Sequence, residues 1–339
     1  ENIHLATAST NAKHVAAGCG HDLVLWSAAS QITSGTTRLH QGVVLRSQQG
    51  RTVSAAFHPV EDLLMASGQD GDLRLWSTST AAAACVYQQA GQGEPAWCLE
   101  WNPRGQYFLS GSEGEAILWS VERAHPLRVL KPQAPDEPHA SPHVIRVHPD
   151  GHLAAVASYD RVTLWDLLSA RPALELPLKK CSALAFSLDG CMLACASSST
   201  LQDASITVWH LASNRATAGQ KHGGVVRALE FVGPRHGDMA DREELLCAAV
   251  LDELTLTRRA GIGGHGTSLH PPEPCATFQV SSDFKADACQ ILGMSSQSGS
   301  IVCTVGAKPM FEAAYRTTRL TRATCKVTAS SESMFYNGK

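Results

Sequence analysis

A glycine-rich segment is the part of this 339-residue chain that comes closest to a known small-molecule motif. Residues 261–266 read G-I-G-G-H-G, which satisfies the G-x-G-x-x-G pattern of dinucleotide-binding loops. Those loops need a helix directly after them, because the helix N-terminus faces the pyrophosphate. The segment Thr-Ser-Leu-His-Pro-Pro follows here and cannot begin that helix. We therefore predict a loop between strands, and we expect neither a cofactor nor a small-molecule substrate.

The same segment offers three side chains that could bind zinc, namely His265, His270 and Cys275. Structural zinc sites have closely paired ligands such as C-x-x-C. No C-x-x-C occurs anywhere in the chain. We therefore expect no metal site.

The chain has eleven cysteines, an odd number with irregular spacing. This pattern favours free thiols in a reducing compartment, the cytosol or the nucleus. Cysteine is among the residue types most often buried, so cysteines in predicted strands are expected to be small buried residues. These cysteines are Cys98, Cys191, Cys195, Cys247 and Cys303.

Three carboxylates raise the question of paired acid and base catalysts. Asp70, Glu113 and Asp160 recur at one position of successive sequence repeats, just before a tryptophan-containing run. Repetition at a hairpin predicts a turn-forming role, and no converging set of nucleophile, acid and base accompanies them. The sequence therefore does not predict an enzyme.

Six side chains in and near the third and fourth repeats are candidate partner contacts: Trp97, Arg104, Arg123, Arg128, Tyr159 and Arg161. Tryptophan, tyrosine and arginine are the types enriched at interface hot spots. Burial is the alternative for Trp97, because it begins an inner strand. Solvation or ion pairing is the alternative for Arg104, Arg123 and Arg128.

The end of the chain is basic. Residues 307–339 carry six basic and two acidic side chains, whereas the whole chain has a net charge of −3. Arg316, Arg319 and Arg322 recur at every third position, so an extended segment could place them along phosphates or in an acidic protein groove. No aromatic residue stands between them, so base stacking is not indicated. The alternative is a strand that completes the fold, followed by a solvated terminus.

Composition excludes two broad classes of protein. Hydrophobic residues make up 44% of the chain and charged residues 17%, which excludes a disordered chain. No apolar run approaches the roughly 18 residues of a membrane span, so we expect no membrane association. Because the chain begins with Glu1 rather than Met, we expect it to be a processed product or a piece of a longer protein.

An apolar run containing a tryptophan recurs five times. The copies are LVLWS, LRLWS, AILWS, VTLWD and ITVWH, with Trp26, Trp76, Trp119, Trp165 and Trp209 separated by 43 to 50 residues. A second apolar run precedes each copy, and from the second repeat onward a third run precedes that one. Runs of four to seven residues between Pro-, Asp- and Gly-containing turns predict β-strands.

Units of about four strands, repeated every 40 to 45 residues, predict the blades of a β-propeller. The pattern continues in weaker form over residues 225–259, where Arg258 stands near the expected tryptophan, and again toward residue 306. We therefore predict an all-β, seven-bladed propeller over residues 1–306, with the last two blades degenerate. A closing strand plus a basic tail are predicted over residues 307–339. The five tryptophans are predicted to be structural, each filling a gap between neighbouring blades.

The repeats resemble WD40 repeats, although only Trp165-Asp166 spells the dipeptide. The Gly-His that usually opens such a repeat is nearly absent, so we expect the family's buried His/Asp/Ser/Trp hydrogen-bond network to be incomplete. The third repeat is similar to a blade of the WD40 subunit of TFIID, the TBP-associated factor five family. The residues that match its pattern are Pro103, Gly105, Tyr107, Phe108, Trp119, Arg123, Pro126, Leu127 and Arg128.

This resemblance implies a non-catalytic scaffold in TFIID or a SAGA-like coactivator that docks histone-fold TBP-associated factors. It also implies a nuclear protein; without it, the cysteine pattern leaves the cytosol open. Nucleic acid is expected as a partner only through the basic tail. The alternative is a WD40 adaptor that reads short peptides, such as a ubiquitin-ligase substrate receptor or an RNA-processing scaffold.

Overall fold

The structure is a computed structural model, and the part of the chain that it describes is built from β-strands. Within that part 28 strands and no helix occur. The described residues are 3–10, 13–19, 21–27, 42–45, 50–88, 94–123, 125–131, 141–200, 203–217, 220–222, 224–232, 245–250, 253–258, 274–279, 289–297, 300–307 and 316–321. Two compact units are present, one formed by Glu1–Ala28 with Leu39–Cys181 and the other by Ala29–Arg38 with Ser182–Lys339.

The first unit contains four antiparallel sheets of four strands each, and neighbours in sequence are neighbours in the sheet. The first sheet is β1 (Ile3–Ala8), β2 (His14–Cys19), β3 (Asp22–Ser27) and β4 (Val43–Leu45). The second is β5 (Thr52–Phe57), β6 (Leu63–Gly68), β7 (Asp72–Ser77) and β8 (Ala83–Gln88). The third is β9 (Cys98–Trp101), β10 (Tyr107–Ser112), β11 (Glu115–Ser120) and β12 (Pro126–Leu130). The fourth is β13 (Val144–Val147), β14 (Leu153–Ala157), β15 (Val162–Asp166) and β16 (Arg171–Leu176).

Three further antiparallel sheets follow along the chain. The fifth is β17 (Cys181–Phe186), β18 (Met192–Thr200), β19 (Asp203–His210) and β20 (Arg215–Ala216), and β21 (Gln220–His222) also pairs with β19. The sixth is β22 (Val226–Val232), β23 (Leu245–Val250), β24 (Glu253–Arg258) and β25 (Pro274–Gln279). The seventh has three described strands, β26 (Cys289–Gln297), β27 (Ser300–Ala307) and β28 (Arg316–Thr321).

The predicted all-β fold of repeated strand units is confirmed. The described residues contain seven sheets, the number of blades predicted, although closure into one seven-bladed ring stays a prediction. The predicted boundary at residue 306 also stays a prediction. Beyond that boundary, β28 pairs with β27 as the third strand of the seventh sheet, with Arg319 opposite Val302.

Each tryptophan of the repeat lies on the third strand of its sheet, one residue before the strand end or close to it. Trp119 faces Phe108 across β10 and β11, and the other four tryptophans occupy the equivalent register in their sheets. In the sixth sheet Arg258 lies near the tryptophan register, as predicted, but not in it. There Thr257 faces Leu246 and occupies the tryptophan register, and Arg258 lies one residue further on.

The core of the first unit lies between consecutive sheets. Trp119 is fully buried in a cluster with Tyr87 and Leu73 of the preceding sheet. Its ring stacks on Phe108, with 6.1 Å between the ring centroids, and the Tyr87 ring meets both edge-on. Trp165 is likewise buried in a cluster with residues of the third sheet. Trp76 is buried in a cluster with residues of the first sheet.

Hydrogen bonds also join consecutive sheets of the first unit. His58 is buried; its Nδ1 accepts the N–H groups of Val60 and Glu61, and its Nε2 donates to the carbonyl of Gly105 at 3.0 Å. Gly105 has a φ of +73°, and a Cβ there would lie 2.0 Å from His58 Nε2. Both constraints require glycine at this turn. Trp101 Nε1 donates to the carbonyl of Ala56 at 3.0 Å, joining the same two sheets.

One repeat has a complete link between its tryptophan and a serine. Trp119 Nε1 donates to Ser110 Oγ at 2.9 Å, both buried. Ser110 lies two residues beyond Phe108, which faces Trp119. The equivalent position opposite Trp76 is Ala66, and the buried Trp76 Nε1 has no hydrogen-bond partner among the described residues.

The fifth sheet shows the same gap. Cys195 takes the serine position opposite Trp209, whose buried Nε1 also lacks a hydrogen-bond partner within the described ranges. An unsatisfied buried donor costs about 1–3 kcal/mol. Packing between sheets therefore carries more of the stability where the serine is missing.

We expect Ala66→Ser to stabilise the protein by giving the Trp76 indole an acceptor. A buried hydrogen bond contributes about 1 kcal/mol net, so the free energy of unfolding in urea should rise by about that amount. Ser110→Ala should lower it by about 1–3 kcal/mol, because the Trp119 indole then loses its acceptor. Ala66→Cys is the matched control: the chain itself places a cysteine opposite Trp209, and no gain is expected. An equal gain from Ala66→Cys would show that added volume, not the hydrogen bond, is responsible.

The described cysteines differ from the expectation at one position. Cys98 and Cys195 are buried strand residues, whereas Cys191 is exposed in the turn just before β18. The expectation that Cys191 is a buried strand residue is therefore wrong, because the strand begins one residue later, at Met192. The side chains of Cys247 and Cys303 lie outside the described ones. Burial raises the pKa of the Cys98 thiol to about 12.

We expect iodoacetamide at pH 8 to modify Cys191 at least about 100-fold faster than Cys98 in the folded protein. The thiolate is the reactive form, and burial suppresses both its formation and its access. Peptide-resolved mass spectrometry over a time course measures both rates. Labelling in urea, where the two rates should converge, is the control. Comparable rates in the folded protein would contradict the burial of Cys98.

Candidate protein-interaction surface

The sheets of the first unit present one set of loops at the end where their first strands begin, which we call the leading end. At the third sheet the Trp97 N–H donates to the carbonyl of Gly111 at 2.8 Å. This bond places the start of β9 beside the hairpin between β10 and β11. At the fourth sheet the His143 N–H donates to the carbonyl of Ala157 at 3.0 Å in the same manner.

Exposed and partly exposed side chains occur along the leading end from the third sheet to the start of β17, and contacts between neighbouring sheets link the segments that carry them. Trp97 is the first of them, with 52% of its surface exposed. The neighbouring sheet is in contact, because Cys98 Sγ lies 3.8 Å from the carbonyl of Pro142. His143 follows Pro142, and its Nε2 donates to the carbonyl of Cys181.

This series of side chains ends at an aromatic ring beside a cation. The Lys180 N–H donates to the carbonyl of Tyr159 at 2.7 Å, and Lys180 Nζ lies 5.8 Å from the centroid of the Tyr159 ring. Tyr159 is 44% exposed. Beside it Arg161 Nη1 lies 3.5 Å from Glu175 Oε2, both partly exposed. We call Trp97, His143, Tyr159, Arg161 and Lys180 the leading-end band.

The band combines the exposed rings of Trp97 and Tyr159 with the cationic side chains of Arg161 and Lys180. Backbone hydrogen bonds anchor the segments that carry Trp97, Tyr159 and Lys180. Its loops are anchored by strand ends, so a partner meets side chains whose backbone positions are already ordered. A cation over an aromatic ring contributes about 0.5–1 kcal/mol at an exposed site. Such a surface suits protein recognition, because aromatic residues and arginine are enriched at protein interfaces.

The three carboxylates singled out in the sequence lie at the same end but do not converge. Asp70 Oδ1 accepts the N–H of Asp72 and Nη1 of Arg74, and its other oxygen lies 2.7 Å from Arg74 Nη2. Arg74 is buried and also contacts Asp72. These bonds close the hairpin before β7, as the predicted turn-forming role requires. Glu113 and Asp160 occupy the corresponding hairpins of the next two sheets.

The remaining candidate residues are placed elsewhere. Arg104 and Arg123 are exposed in two turns at the opposite end of the third sheet, where the Val121 N–H lies 3.4 Å from the carbonyl of Gln106. Arg128 is exposed on the outer strand β12. Arg316 and Arg319 lie on strand β28. Arg322 lies outside the described residues.

Two members of the band were not predicted from the sequence, namely His143 and Lys180. Both stand directly before the first strand of their sheets, the position that Trp97 has before β9 and Arg51 has before β5. Alignment of the repeats on this position would have found them. Their types alone give no signal, because exposed histidine and lysine are common.

The described residues offer no metal site and no membrane-spanning helix. Among the described residues, no three His, Cys, Asp or Glu side chains come together in a way that could hold a metal ion. Over that same part of the chain no helix is long and apolar enough to cross a membrane. The predictions on Gly261, Gly263, Gly266, His265 and His270 fall outside the described residues, and that on Cys275 concerns a side chain that is not described.

The fold and the repeats define the class of this protein. Residues 42–77 and 83–120 match the family model for the WD domain, G-beta repeat. One chain of the crystal structure of a mitotic checkpoint complex shares the fold with a TM-score of 0.68. The match covers 94% of this chain and 87% of that chain at 16% sequence identity. The chain therefore carries WD40 repeats and has an all-β, propeller-type fold.

Two curated relatives indicate which WD40 proteins this chain resembles. The chain is 30% identical over 175 residues to transcription initiation factor TFIID subunit 5 of Caenorhabditis elegans, covering 50% of this chain and 25% of that protein. It is 24% identical over 176 residues to pre-mRNA-processing factor 19 of Bos taurus, covering 52% of this chain and 32% of that protein. The chain thus spans about a quarter to a third of these relatives. The resemblance to the WD40 subunit of TFIID is supported.

We expect Trp97→Ala and Tyr159→Ala each to lower the free energy of unfolding by less than about 1 kcal/mol, as exposed side chains do. Trp119→Ala, which removes a fully buried ring, should cost about 3–5 kcal/mol. Urea titration followed by circular dichroism measures all three. A loss at Trp97 comparable to that at Trp119 would favour the alternative in which Trp97 is a core residue.

Proposed function

We propose that this WD40-repeat protein is a non-catalytic scaffold that docks histone-fold TBP-associated factors in TFIID or a SAGA-like transcription complex. The observation that carries the proposal is the leading-end band, with exposed Trp97 and Tyr159 on a backbone anchored by strand ends. The similarity to TFIID subunit 5 supports the choice of complex. Transcription initiation and pre-mRNA processing, named in the relatives, are nuclear processes, so the proposal includes a nuclear location.

The mechanism is rigid presentation. Loops between β-strands carry the binding side chains, while the packed sheets keep those side chains at fixed separations. Arg161, 35% exposed and paired with Glu175, steers a partner toward one end of the band, since rim charges steer association more than they add affinity. The basic segment with Arg316, Arg319 and Arg322 is proposed to be the part that meets nucleic acid or an acidic groove, if the complex brings either near it.

The alternative is a peptide-reading adaptor or an RNA-processing scaffold. Its support is the similarity to pre-mRNA-processing factor 19 over about half of the chain. On this alternative the same band would receive one short peptide with a defined motif rather than a folded histone-fold pair.

Affinity purification from nuclear extract tests the proposal. The tagged chain should recover TBP and histone-fold TBP-associated factors, identified by quantitative mass spectrometry. The variant with Trp97→Ala and Tyr159→Ala should recover at least about 10-fold less of them, since two hot-spot aromatic residues together contribute more than 1.4 kcal/mol.

Leu168→Ala is the matched control, because Leu168 is 79% exposed at the opposite end of the fourth sheet. It should leave the recovery unchanged. Splicing factors in place of TBP and the histone-fold proteins would favour the alternative. If Leu168→Ala lowers the recovery of these proteins equally, the leading-end band is not the surface that binds them.

A further inference from the structure

The outer strand of the third sheet, β12, has one edge that pairs with no other strand in the part of the chain that the structure describes. Its other edge pairs with β11. The free backbone N–H and C=O groups of such an edge can accept an additional strand from another chain. Natural sheets usually protect outer edges with charged side chains, proline or bulges, and β12 has its proline and its bulge only at its start, at Pro126 and Leu127.

The side chains of β12 differ from those of the outer strands β8 and β16. Register places Arg128 opposite Leu118, just as Cys85 is opposite Leu75 and Leu174 is opposite Leu164. Cys85 and Leu174 are half-buried, whereas Arg128 is exposed. The position thus holds a charge where both neighbouring sheets hold an apolar side chain.

At the next position the difference between β12 and β16 is reversed, because there β12 has an apolar residue and β16 has a charged one. Val129 is opposite Ile117 and is 39% exposed, whereas β16 has the charged Glu175 at the equivalent position. Leu127, the extra residue of the bulge beside Trp119, is 37% exposed. The strand therefore presents Leu127 and Val129 to solvent on either side of a cation. Leu130, one residue further, is buried as its counterparts in β8 and β16 are.

Arg128 is bonded to the backbone of its own strand. Its Nη1 donates to the carbonyl of Leu127 at 2.8 Å, and no carboxylate lies within ion-pair distance of its guanidinium among the described residues. The nearby Glu115 is already paired with Lys131 at 3.1 Å. A carboxylate brought by a partner would attract the guanidinium and leave the Leu127 carbonyl able to accept a backbone N–H.

We propose that β12 is a strand-addition edge for an extended segment of a partner protein in which an acidic residue stands between two apolar residues. The acidic residue pairs with Arg128, and the apolar residues cover Leu127 and Val129. Backbone hydrogen bonds along β12 supply most of the affinity, and the side chains supply the choice of partner. The inference rests on the proposed role as a protein-interaction scaffold but not on which complex the chain joins.

Two capped nine-residue peptides test the edge, Ser-Thr-Thr-Val-Glu-Val-Thr-Thr-Ser and the same sequence with Lys in place of Glu. Fluorescence anisotropy with the full chain should show the glutamate peptide binding at least about 10-fold tighter, a difference of about 1.4 kcal/mol. Arg128→Glu should reverse this preference, because the lysine peptide then meets the opposite charge. Val129→Ser should weaken both peptides, since each loses one apolar contact.

Val86→Ser is the matched control, because Val86 is 43% exposed at the equivalent position of β8, where the preceding residue is Cys85 and not arginine. It should change neither affinity. Thermal unfolding of every variant should match that of the unmodified chain, since the substituted side chains are exposed. The proposal is overturned if neither peptide binds at about 1 mM, if Arg128→Glu leaves the preference unchanged, or if Val86→Ser weakens binding as much as Val129→Ser. The extract experiment above does not involve these residues, so the two proposals can fail separately.

Discussion

The structure of the first unit depends on one constraint, which is that a four-stranded sheet cannot cover its own two apolar faces. Each sheet must therefore pack against the next. The tryptophan on the third strand meets this need, because its ring reaches the preceding sheet. Trp119 does so against Tyr87 and Leu73. The demand is for covered apolar area rather than for particular residues, which is why the fold matches a known structure with a TM-score of 0.68 at only 16% identity.

Hydrogen bonds between sheets fix the positions of residues at the junctions that this packing forms. His58 and Trp101 each bind a carbonyl across the junction of the second and third sheets. The His58 bond lies at the end opposite the leading end, where it holds the turn after β5 against the turn after β9. The same neighbour-to-neighbour contact, from Pro142 to Cys98, makes Trp97 and His143 part of one surface. Stability and binding surface thus follow from the same junctions.

The sequence predicts the strands well because a strand and its turns are local features. Alternating apolar runs, the recurrent tryptophan and the Asp-Gly hairpin at Asp70 all lie within a few residues of the elements that they define. Junctions between sheets are not local. His143 enters the leading-end band because its repeat lies beside the preceding one, and Cys191 is exposed because β18 begins just after it. The offset of Arg258 by one residue from the tryptophan register has the same origin, since register is set by the partner strand.

The hydrogen-bond network of the repeats shows where this sequence is free to vary. Ser110 meets Trp119, while Ala66 and Cys195 leave the corresponding indoles without an acceptor among the described residues. Those sheets keep their place without a serine-to-indole bond, so the serine is not required for the fold. The outer strands β8, β12 and β16 likewise have some positions that packing constrains and others that it does not. Tyr87, Leu130 and Leu176 are all buried at one register position, because that position faces a neighbour. The position that precedes it holds Val86, Val129 or Glu175, because no other strand of the described chain covers it. At positions that packing does not constrain, a scaffold can acquire partner-binding side chains without loss of its fold. In the third sheet such a position holds the apolar Val129 beside the cation of Arg128.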